Sequence, residues 1–161
     1  MDKKKARMKK SIHRERVIVD TNVISSVLKN GNRLLRIAFN YILRREDYVY
    51  TDSIDLELSN YPVDDKKGIK AKIEAFRSKY KGSIQKTPIP DDDKLKKDKY
   101  PAKGKDRRIL YEAEKFGVDV IVTLDKVFRK RANGFKGIRV IRPIEYMKRR
   151  KYIRIRRRDR K

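Results

Sequence analysis

Short runs of β-branched residues bounded by polar ones alternate along the chain with stretches whose apolar positions recur every three or four residues. The first kind reads as buried strand and the second as amphipathic helix. Strands are predicted at 17–19, 48–50, 83–85, 118–122 and 138–141. Helices are predicted over 23–29, 34–42, 53–59, 63–80, 105–115 and 126–131, with breaks at Asn30-Gly31-Asn32, Pro62, Gly82 and Gly117. Pro143 opens a terminal helical turn, and the Pro- and Lys-rich stretch TPIPDDDKLKKDKYPAKGK reads as a mobile loop. Strands that are short, apolar along their length and separated by helices imply a parallel sheet covered on both faces. The expected fold class is α/β, a three-layer α/β/α sandwich with a short central parallel sheet.

Composition narrows the function more than the fold. A chain of 161 residues with 38% hydrophobic residues fits one domain with a real core. There is no cysteine, which removes disulfides, zinc ribbons and thiol nucleophiles and suits a reducing, cytoplasmic setting. No apolar run approaches the roughly 20 residues that cross a bilayer, and the first residues lack the apolar core of a secretory signal. Net charge is +25, of which +6 lies in 1–16 and +9 in 148–161. Basic segments at both ends of a basic body fit a polyanion, and neither has the apolar face of a membrane-surface helix. The expected organisation is a basic arm over 1–15, a core over 16–147 and a basic tail over 148–161. RNA-binding cations are expected at Lys148, Arg149, Arg150, Lys151, Arg154, Arg156, Arg157 and Arg158. Tyr146, Tyr152, Ile153 and Ile155 among them could stack on bases or dock the tail on the core.

Four acids change the picture. In an open parallel sheet, ligands bind outside the carboxyl ends of the strands. Asp20 ends the first strand in RVIVDTNVI, and Asp125 follows a later one in VIVTLDKVF. Asp106 starts the helix that feeds that strand, and Glu57 lies one turn into the helix after the second strand. Singly, each has an ordinary explanation as a helix cap or a solvated acid. Together, carboxylates from four elements repel one another by several kcal/mol per close pair at an effective dielectric near 20, unless a cation lies between them. An all-oxygen ligand set points to Mg²⁺ or Mn²⁺, and hence to metal-assisted phosphodiester hydrolysis. His13, the single histidine, sits in the basic arm and reads as solvated, and Asp91-Asp92-Asp93 lacks the spacing of a calcium loop.

These segments, in this order, resemble the PIN-domain ribonucleases, the family that includes VapC toxins. The resemblance rests on an apolar strand ending in Asp20-Thr21-Asn22, and on Thr51 with Glu57-Leu58. It rests also on Asp106 opening a helix with Ile109, Leu110 and Ala113, and on Val120 to Asp125 ending in Thr-x-Asp. The late RVIRPIEYM fits as well, so the resemblance spans about 16–147. It implies a metal-dependent endoribonuclease acting on single-stranded or structured RNA, either a toxin or an RNA-processing enzyme. Asp20, Glu57, Asp106 and Asp125 would be the catalytic acids and metal ligands, with Asn22 and Thr123 as supporting hydrogen-bonding groups. An antitoxin protein and a second copy of the chain are the further partners it allows. Asp98 rivals Asp106, and Asp55 rivals Glu57. The reading from a different class is a non-catalytic, PIN-like RNA-binding protein.

Overall fold

The computed structural model describes residues 13–29, 31–62 and 68–158, with the side chains of 151–158 excepted. Residues 1–12 of the basic arm expected over 1–15, and the last three residues, lie outside the described residues. Four parallel strands form one sheet: β1 (Arg16–Val19), β2 (Asp47–Tyr48), β3 (Val120–Val122) and β4 (Arg139–Ile141), in the order β2-β1-β3-β4. Val17, Ile18 and Val19 point alternately to opposite faces, and all three are fully buried, as are Val120, Ile121 and Val122. Both faces are therefore covered, and the fold is the expected three-layer α/β sandwich.

Among the described residues, eight α-helices supply the cover: α1 (Thr21–Leu28), α2 (Arg33–Arg45), α3 (Asp52–Ser59), α4 (Ile69–Tyr80), α5 (Asp92–Lys97), α6 (Lys105–Lys115), α7 (Lys126–Ala132) and α8 (Pro143–Arg158). α2 packs on α1 and α8, while α3 packs on α4 and α6. On α2, Ala38, Phe39 and Ile42 form the buried stripe, and Asn32 caps the first turn by accepting the Leu34 N–H at 2.8 Å. Among the described residues no helix is long and apolar enough to cross a membrane.

Three expectations need correction. The strand expected at 83–85 is a single parallel bridge between Gln85 and Thr51, because Lys81–Ser83 already turns as a 3₁₀ helix. The Lys-rich stretch read as a loop contains α5. Asp91 caps it by accepting the Lys94 N–H at 2.8 Å, and Leu95, Tyr100 and Ala102 are buried. Arg107 grips both Asp92 oxygens at 2.9 and 3.0 Å, and so ties α5 to α6. Pro143 opens four turns of helix, not one, so α8 runs on through the boundary expected at 147/148.

Candidate functional site

The loops at the carboxyl edge of the sheet enclose an opening of about 330 Å³ lined by Asp20, Glu57, Asp106 and Asp125, with Thr21, Asn22, Asn60 and Lys105 between them. The four acids come from four elements, and each arrives for a local reason. Asp20 follows β1 directly; its backbone N–H donates to the Val122 carbonyl at 2.9 Å, so the sheet itself fixes it. Its Oδ1 accepts the Thr21 N–H at 2.7 Å as the cap of α1. Asp125 caps α7 by accepting the Val127 and Phe128 N–H groups through Oδ1 alone, which leaves Oδ2 for the opening. Capping and facing the opening are thus compatible: each cap consumes one oxygen.

The Thr123 hydroxyl fixes the orientation of Asp20. It accepts from Asn22 Nδ2 at 3.2 Å and from the Asp125 N–H at 3.0 Å, so its lone pairs are taken and its proton goes to Asp20 Oδ2 at 2.7 Å. Asn22 Oδ1 accepts the Leu124 N–H at 3.1 Å and completes the chain of bonds. Thr123 therefore bonds the Asp20 carboxylate after β1 and the Asp125 backbone after β3, and Asn22 acts on both through Thr123 and Leu124. Glu57 Oε2 accepts the Thr21 hydroxyl at 2.6 Å, and its Oε1 stands 4.0 Å from Lys105 Nζ.

The electrostatics are unbalanced. Burial raises the Asp20 carboxyl to about 6, against the pull of the Thr123 hydroxyl, with Glu57 and Asp125 adding repulsion. Asp106 rises to about 7, first through burial and then through Asp20, Asp125 and Glu57, and no hydrogen bond offsets it. Among the described residues, however, no three acidic side chains stand close enough to hold a metal ion as placed. The acids line one opening and act on one another through space without closing on a shared point.

A pH dependence follows with a definite sign. Folded Asp20 and Asp106 hold protons that the unfolded chain releases near 3.8, so their stabilising contribution is complete below about pH 4 and is lost as pH rises through 6 to 7. In chelator, unfolding free energy should fall by about 2 kcal/mol between pH 5.5 and 7.5, with partly exposed Asp106 discounted. Thermal melts at the two pH values check this, and a melting temperature that is flat or rises with pH would refute it.

The rival acids lie elsewhere. Asp55 faces away from the opening, bound to Arg77 at 3.0 and 3.2 Å and to the Tyr50 hydroxyl at 2.7 Å, which holds its carboxyl below the usual range despite burial. Asp98 ends α5 outside the opening. Two of the cations expected to bind RNA sit at the opposite edge of the sheet. Arg149 meets Glu15 at 3.0 Å, and Arg150 Nε donates to Glu46 at 2.8 Å, where β1 and β2 begin. Lys148 borders an apolar groove with Leu34, Ile37, Ile144 and Met147, while the side chains of Lys151 to Arg158 lie outside the described residues. Tyr146 is fully buried and docks α8 on the core. Composition did not single out Lys105, although its position beside Asp106 at a helix start was a usable signal.

No protein-family model matches the chain, and no curated protein does. Among solved structures it is similar to PAE2754 from Pyrobaculum aerophilum, with 19% identity, a TM-score of 0.52, and coverage of 84% of this chain and 88% of that one. It also aligns with the PIN domain endonuclease Utp24, with 16% identity, a TM-score of 0.46, and coverage of 78% and 82%. At this identity the first likeness speaks for the fold. The chain shares the three-layer α/β fold of PAE2754, with the four acids named from the sequence around one opening at its carboxyl edge.

Proposed function

We propose that the chain is a metal-dependent endoribonuclease, with Asp20, Glu57, Asp106 and Asp125 as ligands of Mg²⁺ or Mn²⁺. The observation that carries this reading is the uncompensated charge of the opening. Two of its four acids are pushed toward neutrality, and the donors present, Thr21, Thr123 and Lys105, leave Asp106 with no hydrogen bond. The set fits a hard divalent ion: every ligand atom is oxygen, and Asp125 keeps one oxygen uncommitted. Binding requires the carboxylates to draw in, a movement their repulsion opposes and a divalent cation favours. The chemistry such an ion supplies is activation of water and neutralisation of charge at a phosphodiester.

The chain's own residues have assignable parts. The Thr21 N–H and the Thr123 hydroxyl direct the two oxygens of Asp20, Asn22 holds Thr123, and the Thr21 hydroxyl holds Glu57. Lys105, 74% exposed at the rim, is placed to meet a phosphate. The reading covers a VapC-like toxin restrained by an antitoxin as well as an RNA-processing enzyme, and co-purification from the native host separates these two.

The test is direct. The purified chain should cleave single-stranded RNA in Mg²⁺ or Mn²⁺ and stop in EDTA. Tight RNA binding without metal-dependent cleavage would instead select the non-catalytic reading.

A further inference from the structure

Beside the acid-lined opening lies a smaller one, and the two share Glu57, Asn60 and Lys105. It is a trough between α3 and α6. Ser53, Leu56 and Asn60 line it from α3 and the residue that ends that helix, at helical spacing; Lys105 and Arg108 line it one turn apart on α6. At one end the helices are pinned: Glu112, fully buried, accepts the Ser53 N–H at 3.2 Å. At the other end the trough runs into Glu57 and the acids. Its wall carries Leu56, which is 55% exposed. The side chains of Asn60 and Arg108 engage no hydrogen-bond or ion-pair partner among the described residues. An exposed leucine, a free amide and a free guanidinium therefore converge next to four carboxylates.

We propose that this trough receives the base of a nucleotide adjoining the scissile phosphate and sets the sequence preference of cleavage. The inference rests on the ribonuclease reading for its substrate. Leu56 offers an apolar surface to the face of a base. Asn60 presents one donor group and one acceptor to a base edge, and Arg108 presents donors only. Lys105, between trough and acids, is where the connecting phosphate passes. The trough, about 80 Å³ and open to solvent along one side, would take a base only in part, lying against Leu56, and has no room for a base pair. A duplex keeps its bases stacked and paired, so the trough favours single strands.

The experiment uses short single-stranded RNA oligomers with an abasic nucleotide placed in turn at each position around the cut mapped with the unaltered protein. Binding is measured with the full-length Asp20→Asn chain in Mg²⁺, so that cleavage does not interfere. An abasic nucleotide at one position beside the cut should weaken binding about tenfold. Adding Leu56→Ala should shrink that penalty below about twofold. Leu34→Ala, an equally exposed leucine on α2 outside both openings, should leave the penalty unchanged. Oligomers that bind alike at every abasic position, or not at all, overturn the proposal, as does a penalty that survives Leu56→Ala. Failure of the unaltered protein to cleave any oligomer defeats the ribonuclease reading by itself; the abasic nucleotide is then walked along the whole oligomer, and the absence of any position whose penalty Leu56→Ala removes overturns the trough as well.

Discussion

Asp20→Asn should slow RNA cleavage at least about a hundredfold, equivalent to about 2.7 kcal/mol of barrier, while the protein stays folded. The substitution keeps the shape and the Oδ1 that accepts the Thr21 N–H at 2.7 Å, so α1 keeps its cap. What changes is the second oxygen. An amide nitrogen there has no lone pair for a cation and confronts a Thr123 hydroxyl that already accepts two bonds. The cost of that conflict is offset by removing a buried charge that Glu57 and Asp125 repel. In EDTA the variant should therefore melt no lower than the parent at neutral pH. The stabilisation that Mn²⁺ gives the parent should shrink with the lost ligand. Undiminished cleavage by Asp20→Asn would end the proposed mechanism, and an unchanged Mn²⁺ stabilisation would take Asp20 out of the ligand set.

What the sequence disclosed, and what it concealed, divides along a physical line. β1 was legible because Val17 to Val19 is buried on both faces, so burial shows as an unbroken apolar run. Glu57 could be preferred to Asp55 because two residues along a helix turn a side chain to another face, and Asp55 is indeed held by Arg77 away from the opening. α5 was hidden because its order comes from partners distant in sequence. Leu95 and Tyr100 are isolated apolar residues among lysines, and only packing against α6, with the Tyr100 hydroxyl on Glu114, makes them core. The trough was hidden for the same reason. Ser53, Leu56 and Asn60 recur at helical spacing in the sequence, but nothing there says that α6 lies opposite.

The beginning of the basic tail was misleading in a way that can be tested. By composition, Arg149 and Arg150 belong to a phosphate-binding run, yet in the fold Arg150 is an interior cation. Its side chain is 11% exposed, its Nε donates to Glu46 at 2.8 Å, and its Nη2 donates to Glu46 and to the His13 carbonyl. The Glu46 side chain is 1% exposed, and its other oxygen accepts the Glu15 N–H at 2.7 Å. Removing the guanidinium leaves a buried carboxylate with one backbone donor, a loss of about 3 kcal/mol. At about 2–4 °C per kcal/mol for a chain of this size, Arg150→Met should melt roughly 6–12 °C lower. Adding Glu46→Gln should recover part of that loss, because a buried amide costs less than an unpaired charge, and this coupling distinguishes a lost ion pair from lost packing. RNA affinity of the folded variant should keep its dependence on salt. If the melting temperature instead holds while the log–log salt slope falls by about 0.7, Arg150 contacts a phosphate and the ion pair is incidental. A truncation meant to remove RNA-binding charge must therefore start beyond Arg150, since one starting at Lys148 would also strip Glu15 and Glu46 of cations that hold α8 to the base of the sheet.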